Sequence, residues 1–425
     1  MKILHINSSD KGGAGIAALR LHRAMLSQGI DSCFMSLDNE INDGIHYVRF
    51  NTKKEELVKP KQPLLSFKNY LSEKIKGSYS KALNEFDKKV KFHNEKYNIY
   101  YNKESYEIFS TPFSNYDLTE SEAYKQADII HLHWVAGYLD YPSFFENNKK
   151  PVVWTIHDEN PFRGGFHYKA DELRNQGNLK ELDLYYKQVK YNAISKQRDL
   201  VIVSPSKWLA EEAKQSDVFK QRKVVSIYNT LNTNVFKPLD KNFSRDFFNL
   251  PQEAKVFMFA SQNIENKRKG FDLLLPIIKK YKENNNVFFL VVGSKTEELI
   301  QSNIIFTGPI SDERVMTMAY SAADFFVLPS REDNLPNTML EALACGTPII
   351  SFPIGGLKEI VEDNVNGFLA KKVSSVSLAN LLESQKIFLN DLISKDIVEN
   401  SFNMFNSRSI VGQFMDVYRS VVIDS

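Results

Sequence analysis

Short apolar runs alternate with amphipathic stretches along most of this chain. The first run, residues 2–6, leads through a polar, glycine-rich turn into a stretch whose apolar residues, Ile16 to Leu26, recur at helical spacing. Unbroken apolar runs of this length are typical of strands that are buried on both faces of a parallel sheet. The alternation therefore predicts an α/β protein built on parallel sheets. Similar runs occur at 31–37, 127–132, 152–156, 200–203, 223–227, 256–260, 287–292, 304–306, 325–328 and 348–351.

One region departs from this alternation. From about Thr52 to Ser105 the chain is rich in lysine, and its apolar residues fall at roughly helical spacing. We predict an insertion with one or two amphipathic helices there. Two interpretations stay open: a basic surface that contacts anionic lipid or a lipid-linked acceptor, or solvated helices packed on the domain. The interleaved Glu and Asp residues favour the second interpretation.

Composition narrows the function classes. The 425 residues can hold two domains with sizeable cores, and the formal net charge of +2 gives no indication of a nucleic-acid partner. The two cysteines, Cys33 and Cys345, lie far apart, which predicts neither a disulfide framework nor a zinc site. No charged leader with an apolar segment follows Met1, and no eighteen apolar residues run together. We therefore expect a cytoplasmic protein, with any membrane contact peripheral and at the inner face.

The candidate chemistry centres on residues 331–348. Pro336 suits the first turn of a helix and Gly346 suits its end. Asp333 precedes that helix and Glu341 lies about two turns into it, so both carboxylates border one edge, where they could accept hydrogen bonds from sugar hydroxyls. The alternative is a capped helix whose Glu341 faces water. Backbone amides at the helix entrance could bind phosphate or hydroxyl groups. The residues of this entrance are Asn334, Leu335, Pro336, Asn337 and Thr338.

The two acids also belong to a longer motif. Asp333, seven intervening residues, Glu341 and the tail ALACGTP at 342–348 resemble the E-x7-E signature of retaining glycosyltransferases of family 4. The resemblance extends over nearly the whole chain and implies the GT-B fold: α/β, with two Rossmann-like parallel-sheet domains facing across a deep cleft. In that family the first acid region contacts the donor sugar and the second acid holds the nucleotide ribose. The family usually has Glu where this chain has Asp333, and Glu332 would lengthen the spacing by one residue.

The same resemblance divides the chain into domains. Residues 228–238 resemble the turn that joins the two domains in that family, and the apolar pattern from Ile410 to Val422 resembles its C-terminal helix. We predict an acceptor-side domain that includes the insertion at about 52–105, a nucleotide-sugar-binding domain, and a helix that packs back on the first domain. Their predicted ranges are 1–237, 238–405 and 406–425.

Two segments of the first domain are candidates for the acceptor side of the cleft. Gly12, Gly13 and Gly15 would let amides at a helix start approach a ligand without an intervening Cβ. A plain tight turn explains these glycines equally well, since the spacing is not that of a dinucleotide fingerprint. The resemblance implies that their loop lies near the donor diphosphate and the acceptor. Arg163 and His167 lie in a loop that resembles one of the polysaccharide-building, colanic-acid-type branch of the family, where it shapes the acceptor side.

Histidines follow two of the predicted strands. His131 and His133 lie at the end of the run 127–132, and His157 follows the run 152–156. Residues just past the ends of parallel strands point into the ligand crevice. For His131 and His133 a purely structural role stays open. His157 with its neighbour resembles the family histidine that contacts the donor sugar near the reacting centre.

Basic residues of the second domain are candidates for binding a diphosphate. Arg268 and Lys269 lie beside Gly270, where arginine offers a bidentate fork and lysine a point charge. A solvated surface pair is the alternative, but the resemblance to the family's basic donor-loop pair favours the diphosphate. Gly355 and Gly356 precede another predicted helix and give a second candidate anion site.

These features predict a metal-independent hexosyltransferase. We expect it to move a sugar, with retention of configuration, from a nucleoside diphosphate sugar to a hydroxyl of a glycan or lipid-linked glycan in cell-surface polysaccharide synthesis. Arg268, Lys269 and the amides near Gly355 would stabilise the charge of the leaving group. The chain has no Asp-x-Asp pair for Mg²⁺ or Mn²⁺, so we expect neither a metal nor a cofactor. The alternatives are a nucleotide-sugar epimerase, a phosphorylase, and a nucleotide-sugar-binding GT-B scaffold without transfer activity.

Overall fold

The chain folds into two compact units, Met1–Ile227 with Val411–Ser425 and Tyr228–Ile410. The predicted insertion at about 52–105 lies largely outside the residues described. The computed structural model describes residues 1–37, 47–49, 92–94, 99–102, 105–177, 179–294, 303–384, 387 and 394–423.

The boundary between the units precedes the position predicted near residue 237. Residues 228–237 group with the second unit because they pair and pack there. The Leu231 N–H donates to the Phe405 carbonyl oxygen at 3.0 Å, and Phe236 is buried in the core of that unit. The turn that looked like a linker is therefore the first structured segment of the second unit.

A parallel sheet forms the centre of the first unit. The strands of this unit are β1 (Ile3–Ile6), β2 (Ser32–Ser36), β3 (Tyr47–Arg49), β4 (Phe92–Asn94), β5 (Ile99–Asn102), β6 (Tyr106–Ser110), β7 (Ile129–Leu132), β8 (Val152–Thr155), β9 (Leu200–Ser204) and β10 (Lys223–Ser226). Seven of them form the parallel sheet, in the order β10-β9-β8-β7-β1-β2-β3. Strands β1, β2, β7, β8 and β9 are buried along their whole length, as their unbroken apolar runs predict.

A smaller antiparallel sheet, β4-β5-β6, also belongs to the first unit. Parts of it lie within the predicted insertion at about 52–105, whose apolar residues at helical spacing lie outside the described part of the chain. The segment Ile99–Asn102 and the strand Tyr106–Ser110 are rich in aromatic and β-branched residues, which favour strands. The helices of the first unit are α1 (Gly12–Ser27), α2 (Glu122–Gln126), α3 (Tyr141–Asn147), α4 (Lys169–Arg174), α5 (Lys180–Ile194) and α6 (Lys207–Gln215).

The second unit has its own parallel sheet of six strands. They are β11 (Lys255–Ala260), β12 (Val287–Val292), β13 (Ile304–Gly308), β14 (Phe325–Leu328), β15 (Ile349–Ser351) and β16 (Gly367–Leu369), in the order β13-β12-β11-β14-β15-β16. Its helices are α7 (Lys241–Phe247), α8 (Phe271–Lys280), α9 (Glu313–Ala322), α10 (Asn337–Ala344), α11 (Leu357–Ile360), α12 (Ser375–Leu382) and α13 (Ser394–Phe405). Helix α14 (Ser407–Ile423) follows, and most of it belongs to the first unit.

Both sheets reverse their strand order at one point. In the first unit the reversal lies between β1 and β7, and in the second between β11 and β14. Ligands of open parallel sheets bind outside the carboxyl ends of the strands at such a switch point. The loops that follow β1 and β7, and those that follow β11 and β14, are therefore the places where the fold itself would present a ligand. The predicted α/β class with two parallel sheets is confirmed.

Among the described residues, no helix combines the length and the apolar character needed to cross a bilayer.

Candidate functional site

Gly270 brings together the two loops at the switch point of the second unit. Its φ of +75° lies in the left-handed region, and a Cβ there would lie 1.8 Å from the carbonyl oxygen of Pro329. Only glycine satisfies both conditions. The short 3₁₀ turn Lys267–Lys269, which precedes Gly270, consequently lies directly against the loop after β14. The Arg331 N–H donates to the Arg268 carbonyl oxygen at 2.7 Å and joins the two loops.

Arg268 and Lys269 surround the carboxylate of Asp333. Lys269 Nζ donates to Asp333 Oδ2 at 2.6 Å, and Arg268 Nη1 lies 3.5 Å from Oδ1. Ser330 Oγ also donates to Oδ2, at 3.2 Å, and Arg268 Nη1 donates to the Glu332 carbonyl oxygen at 3.0 Å. Two cations around one carboxylate leave a net positive charge at this loop junction.

Asp333 is ionised in this arrangement. Burial raises the pKa of its carboxyl, but Lys269 and Arg268 lower it by more, so the pKa lies below its ordinary value. The Asp333 carboxylate therefore orients the two cations, which is a role that sequence reasoning did not assign to it. The side chains of Lys269 and Arg268 are 27% and 14% exposed, so both can still be reached by a ligand.

Helix α10 begins next to this cluster, as predicted. Pro336 is its N-cap residue and Asn337 its first helical residue, with no side chain capping the first turn. Asn334, Leu335, Pro336 and Asn337 are buried, and Thr338 is half-buried. The Asn337 Oδ1 accepts a hydrogen bond from Asn229 Nδ2 at 3.0 Å. The entrance of α10 thus offers first-turn amides in a rigid setting.

Glu341 lies on α10 with its carboxylate fixed by a tyrosine. Tyr320 OH donates to Glu341 Oε2 at 2.8 Å, and Thr347 Oγ1 donates to the Tyr320 carbonyl oxygen at 2.7 Å. Glu341 is 6% exposed, so it does not face water as the alternative interpretation required. Sequence reasoning missed Tyr320, because it fits the apolar pattern of α9 and gave no signal of a polar role.

The second anion site predicted near Gly355 and Gly356 is weaker than expected. Gly355 has a φ of +47°, but the helix that follows, α11, has only four residues. A single turn aligns few peptide dipoles, so its amino end attracts an anion less than a long helix would. The two glycines shape the turn before α11, and the predicted helix is present as a single turn.

The predicted glycine turn of the first unit is part of a helix. Helix α1 begins at Gly12, and not near Ile16, so Gly12, Gly13 and Gly15 occupy its first turn. A Cβ on Gly15 would lie 2.5 Å from the Ser9 carbonyl oxygen, which explains this glycine by close packing. At Gly12 and Gly13 a Cβ would meet nothing within 4 Å. Packing therefore does not require glycine at either position, and the approach of a ligand to their amides stays a prediction.

The predicted histidines lie side by side at the switch point of the first unit. His5 on β1 is the register partner of His131 on β7, and the ring of His133 stacks on that of His131 at 4.1 Å. His133 Nδ1 lies 3.3 Å from His157 Nε2. The two nitrogens of His131 are bonded to hydroxyls, Nδ1 to Tyr418 at 2.7 Å and Nε2 to Thr155 at 2.7 Å. Sequence reasoning missed His5, whose only signal was a histidine inside an apolar strand.

These imidazoles are neutral at physiological pH. Burial lowers the pKa of His157 to about 4, against an opposing effect of its acidic neighbour Asp158. Burial, followed by the neighbouring imidazoles, holds the pKa values of His5, His131 and His133 well below the usual range. A neutral ring can donate and accept hydrogen bonds but carries no charge to a ligand. His133 and His157 both line a small cavity, together with Trp134, Tyr141 and Asp158.

Three of these rings form the candidate metal centre of the described residues. Nitrogens of His5, His131 and His133 lie within 4.8 Å of one another. However, His5 Nδ1 and His133 Nε2 face each other at 2.9 Å, which is a hydrogen-bond distance. Both nitrogens of His131 are engaged by hydroxyl groups. The arrangement is thus one of neutral imidazoles bonded to each other and to hydroxyls.

The loop after β8 is held by internal bonds. His167 is fully buried, and its Nδ1 lies 2.6 Å from Asp158 Oδ2 while its Nε2 lies 2.9 Å from Ser110 Oγ. The guanidinium of Arg163 binds the carboxylates of Glu159 and Glu172. His167 is held by Asp158 and Ser110, and Arg163 is paired with two acids. That this loop shapes the acceptor side stays a prediction. Both residues support the loop that carries His157.

Lys190 on α5 anchors the same loop, and sequence reasoning missed it. Its Nζ donates to the Asn160 carbonyl oxygen and to the Gly164 carbonyl oxygen, both at 2.6 Å, and to Asn160 Oδ1 at 3.0 Å. Burial lowers the pKa of Lys190 to about 7, while Asp183 and Asp158 raise it. Three acceptors match the three protons of an ammonium group. In the sequence Lys190 is one of several lysines between 180 and 196, and nothing local marks it as buried.

Comparisons with known proteins show similarity to glycosyl transferases. Residues 254–384 match the family described as glycosyl transferases group 1, and this range includes Arg268, Lys269, Asp333 and Glu341. A protein of Klebsiella pneumoniae, described as an uncharacterized 41.2 kDa protein in the cps region, is 22% identical over 70% of this chain and 80% of its own length. The N-acetyl-alpha-D-glucosaminyl L-malate synthase of Bacillus anthracis is 22% identical over 77% of this chain and 85% of its own.

Solved structures show the same fold. The sucrose-phosphate synthase of Thermosynechococcus elongatus superposes with a TM-score of 0.66 at 17% identity, over 100% of both chains. The Anabaena protein HepE, in complex with UDP-glucose, gives a TM-score of 0.63 at 17% identity over 99% of this chain and 100% of its own. These likenesses confirm the predicted GT-B fold class. The family match and the curated relatives support a glycosyltransferase.

Proposed function

We propose that this protein is a retaining, metal-independent hexosyltransferase, which moves a sugar from a nucleoside diphosphate sugar to a hydroxyl of a glycan or lipid-linked glycan in cell-surface polysaccharide synthesis. The observation that carries the proposal is the pair of cations, Arg268 and Lys269, held on Asp333 at the switch point of the second unit. Breaking the bond between sugar and diphosphate develops negative charge on the leaving group. Cations that are already oriented stabilise that charge when it forms.

Donor binding in this proposal begins with the diphosphate. Its oxygens approach Lys269 and Arg268, whose charges together exceed that of the one carboxylate between them. Arginine can bind two phosphate oxygens at once, and lysine adds a point charge. The first-turn amides of α10, between Pro336 and Thr338, supply further donors. No metal is needed for charge neutralisation, in line with the missing Asp-x-Asp pair.

The nucleotide and the sugar are assigned to different side chains. Glu341, held by Tyr320, is oriented to accept hydrogen bonds from the ribose hydroxyls. His157, neutral because burial lowers its pKa to about 4, contacts the donor sugar through hydrogen bonds. The reacting carbon passes through an oxocarbenium-like state. The donor phosphate accepts the acceptor proton on the same face, which accounts for retention.

The relatives guide the choice of substrates. The Klebsiella relative is described by its place in the cps region, and the Anabaena structure holds UDP-glucose. UDP-sugars are accordingly the first donors to test, followed by GDP-sugars. Acceptors to test first are oligosaccharides and lipid-linked saccharides extracted from the source cell.

Product analysis decides among the candidate functions. The purified protein is incubated with each donor, with and without acceptor, and NMR of the product reports the anomeric configuration. Transfer with the donor's own configuration, unaffected by chelator, is expected. An inverted product, or activity that chelator abolishes and Mn²⁺ restores, would contradict the mechanism. A changed donor without any acceptor indicates an epimerase, and tight nucleotide binding without transfer indicates a scaffold.

A further inference from the structure

Three imidazole rings form a hydrogen-bonded row that ends at His157. His5 Nδ1 lies 2.9 Å from His133 Nε2, and His133 Nδ1 lies 3.3 Å from His157 Nε2. Adjacent ring planes differ by only 26° and 22°, with centroids 5.2 and 5.6 Å apart. The three rings are thus nearly coplanar and meet through their nitrogens. We call His5, His133 and His157 the imidazole row.

The protons of the imidazole row are coupled. A neutral imidazole carries one N–H and one bare nitrogen, so a ring that donates to its neighbour on one side must accept on the other. His133 uses both of its nitrogens within the row. With all three rings neutral, only two arrangements bond every link. Either each ring donates toward His157, or each donates toward His5.

The buried end of the row decides between the two arrangements. His5 is fully buried, and within the described part of the chain its Nε2 has no hydrogen-bond partner. A buried N–H without an acceptor is rarer in proteins than an acceptor that is left unsatisfied. The proton of His5 therefore belongs on Nδ1, where it is donated to His133 Nε2. His133 in turn donates from Nδ1 to His157 Nε2, which leaves the proton of His157 on its Nδ1.

We propose that His133 is a positioning residue that fixes His157 as the Nδ1–H tautomer, with the direction of the row set by the lack of an acceptor at its buried end. His157 is then a hydrogen-bond donor at Nδ1 and not a proton acceptor. Its effect on transfer of the sugar, and only this effect, rests on the function proposed above. The ring of His131, stacked on His133 at 4.1 Å, holds the row in its plane.

The tautomers can be observed directly. Protein labelled with ¹⁵N-histidine has eight imidazoles, and long-range ¹H–¹⁵N correlation spectra separate protonated from bare ring nitrogens. Single substitutions assign the signals. In the unaltered protein we expect a protonated Nδ1 and a bare Nε2 on His157. A His157 ring protonated at Nε2 would overturn the direction that we assign.

Three variants test the role of His133. H133F keeps a ring but cannot donate, so the His157 proton should move to Nε2 or divide between both nitrogens. H133N offers an amide N–H near the position of Nδ1, so it should restore the Nδ1–H form. H5F places a ring that cannot hydrogen-bond against His133 Nε2. That buried nitrogen should then stay without a proton, so His133 still donates from Nδ1 and the His157 tautomer should stay unchanged. If His157 keeps its proton on Nδ1 in folded H133F, just as in H133N, the proposal is overturned.

Kinetics complete the test and keep the two proposals separate. H133F should lower kcat about 10-fold with little change in KM for the donor, because His157 loses its correct tautomer while His133 itself contacts no substrate. H133N should recover most of kcat. If the spectra behave as expected but no sugar is transferred by any variant, the function proposed above fails and the tautomer assignment stands. If transfer occurs and H133F matches the unaltered kcat, the positioning role fails.

Discussion

Individual side chains at the loop junction of the second unit have separable tasks. Lys269 is bonded to Asp333 at 2.6 Å and remains 27% exposed, so it can neutralise a diphosphate. Replacing it with Ala should lower kcat/KM by about 10²–10³, the range typical of losing one preorganised charge-stabilising donor. K282A is the matched control, since Lys282 is an exposed lysine of the same unit that pairs with Glu283. Steady-state kinetics with the best donor check this, and equal losses in both variants would refute the role of Lys269.

Glu341 and Tyr320 should affect nucleotide binding to different degrees. E341Q removes the charged acceptor for the ribose, and we expect binding of the nucleoside diphosphate to weaken by ~1.5–3 kcal/mol. Y320F leaves the acid in place but removes the bond that orients it, so a loss of about 1 kcal/mol is expected. Isothermal titration calorimetry measures both. An affinity unchanged in E341Q would remove Glu341 from the binding site.

At the scale of elements, one glycine holds the loop after β11 against the loop after β14. G270A would combine a φ of +75° with a Cβ at 1.8 Å from the Pro329 oxygen. G308A shares a similar φ, +72°, but its Cβ would meet nothing within 4 Å. We expect G308A to lose ~1–2 kcal/mol of unfolding free energy from backbone strain alone, and G270A clearly more. Denaturant titration compares them, and equal losses would show that the close contact contributes nothing.

Helix α5 supports the loop that carries His157 through one buried lysine. K190M would leave the carbonyl oxygens of Asn160 and Gly164 and the Asn160 side chain without their donor. Since unsatisfied buried acceptors are costly, a loss of ~2–4 kcal/mol of unfolding free energy is expected. K187M, on the same helix, alters a lysine that pairs with Asp217 at the surface and should change little. Similar unfolding curves for the two variants would argue against the anchor.

Local sequence predicted the elements better than it predicted their contacts. The strands around Ile3–Ile6 and Phe325–Leu328 followed from unbroken apolar runs, because burial on both faces is a local requirement. The ion pair between Lys269 and Asp333 joins residues 64 positions apart, and no local pattern encodes it. The neighbourhood of His5 and His131 likewise depends on β1 pairing with β7, which is a property of the whole sheet.

The first residue of a helix was also harder to predict from local sequence than the helix itself. The apolar spacing placed the beginning of α1 near Ile16, but the helix starts at Gly12. Glycine is a poor helix former, so propensity argued against those residues. A Cβ on Gly15 would lie 2.5 Å from the Ser9 carbonyl oxygen, so the close approach of the backbone requires glycine there in spite of its low propensity. The entrance of α10 was predicted well because Pro336 carries a local signal.

For the whole molecule, the buried imidazoles predict loss of stability in mild acid. The pKa values of His5, His131, His133 and His157 are all lowered on folding, chiefly by burial. Below the ordinary value of 6.5 the unfolded chain binds protons that the folded chain does not, so unfolding free energy falls as pH falls. For His157, whose folded pKa is about 4, the loss accumulates between pH 6.5 and 4 and amounts to on the order of 3 kcal/mol.

Denaturant titrations at pH values from 7.5 to 4.5 should therefore show a steep fall that begins near pH 6.5. H131Q retains a polar group near Thr155 but removes one titrating ring, so its unfolding free energy should depend less steeply on pH. Asp158 and Asp333 do not explain a fall in that range, because their partners lower both pKa values below 3.8 against burial, so their contribution is lost only at lower pH. Burial raises the pKa values of Glu159 and Asp183, which opposes a fall in stability toward acid. A stability that is level from pH 7.5 to 5 would show that the histidines of the first unit are accessible to protons in the folded state.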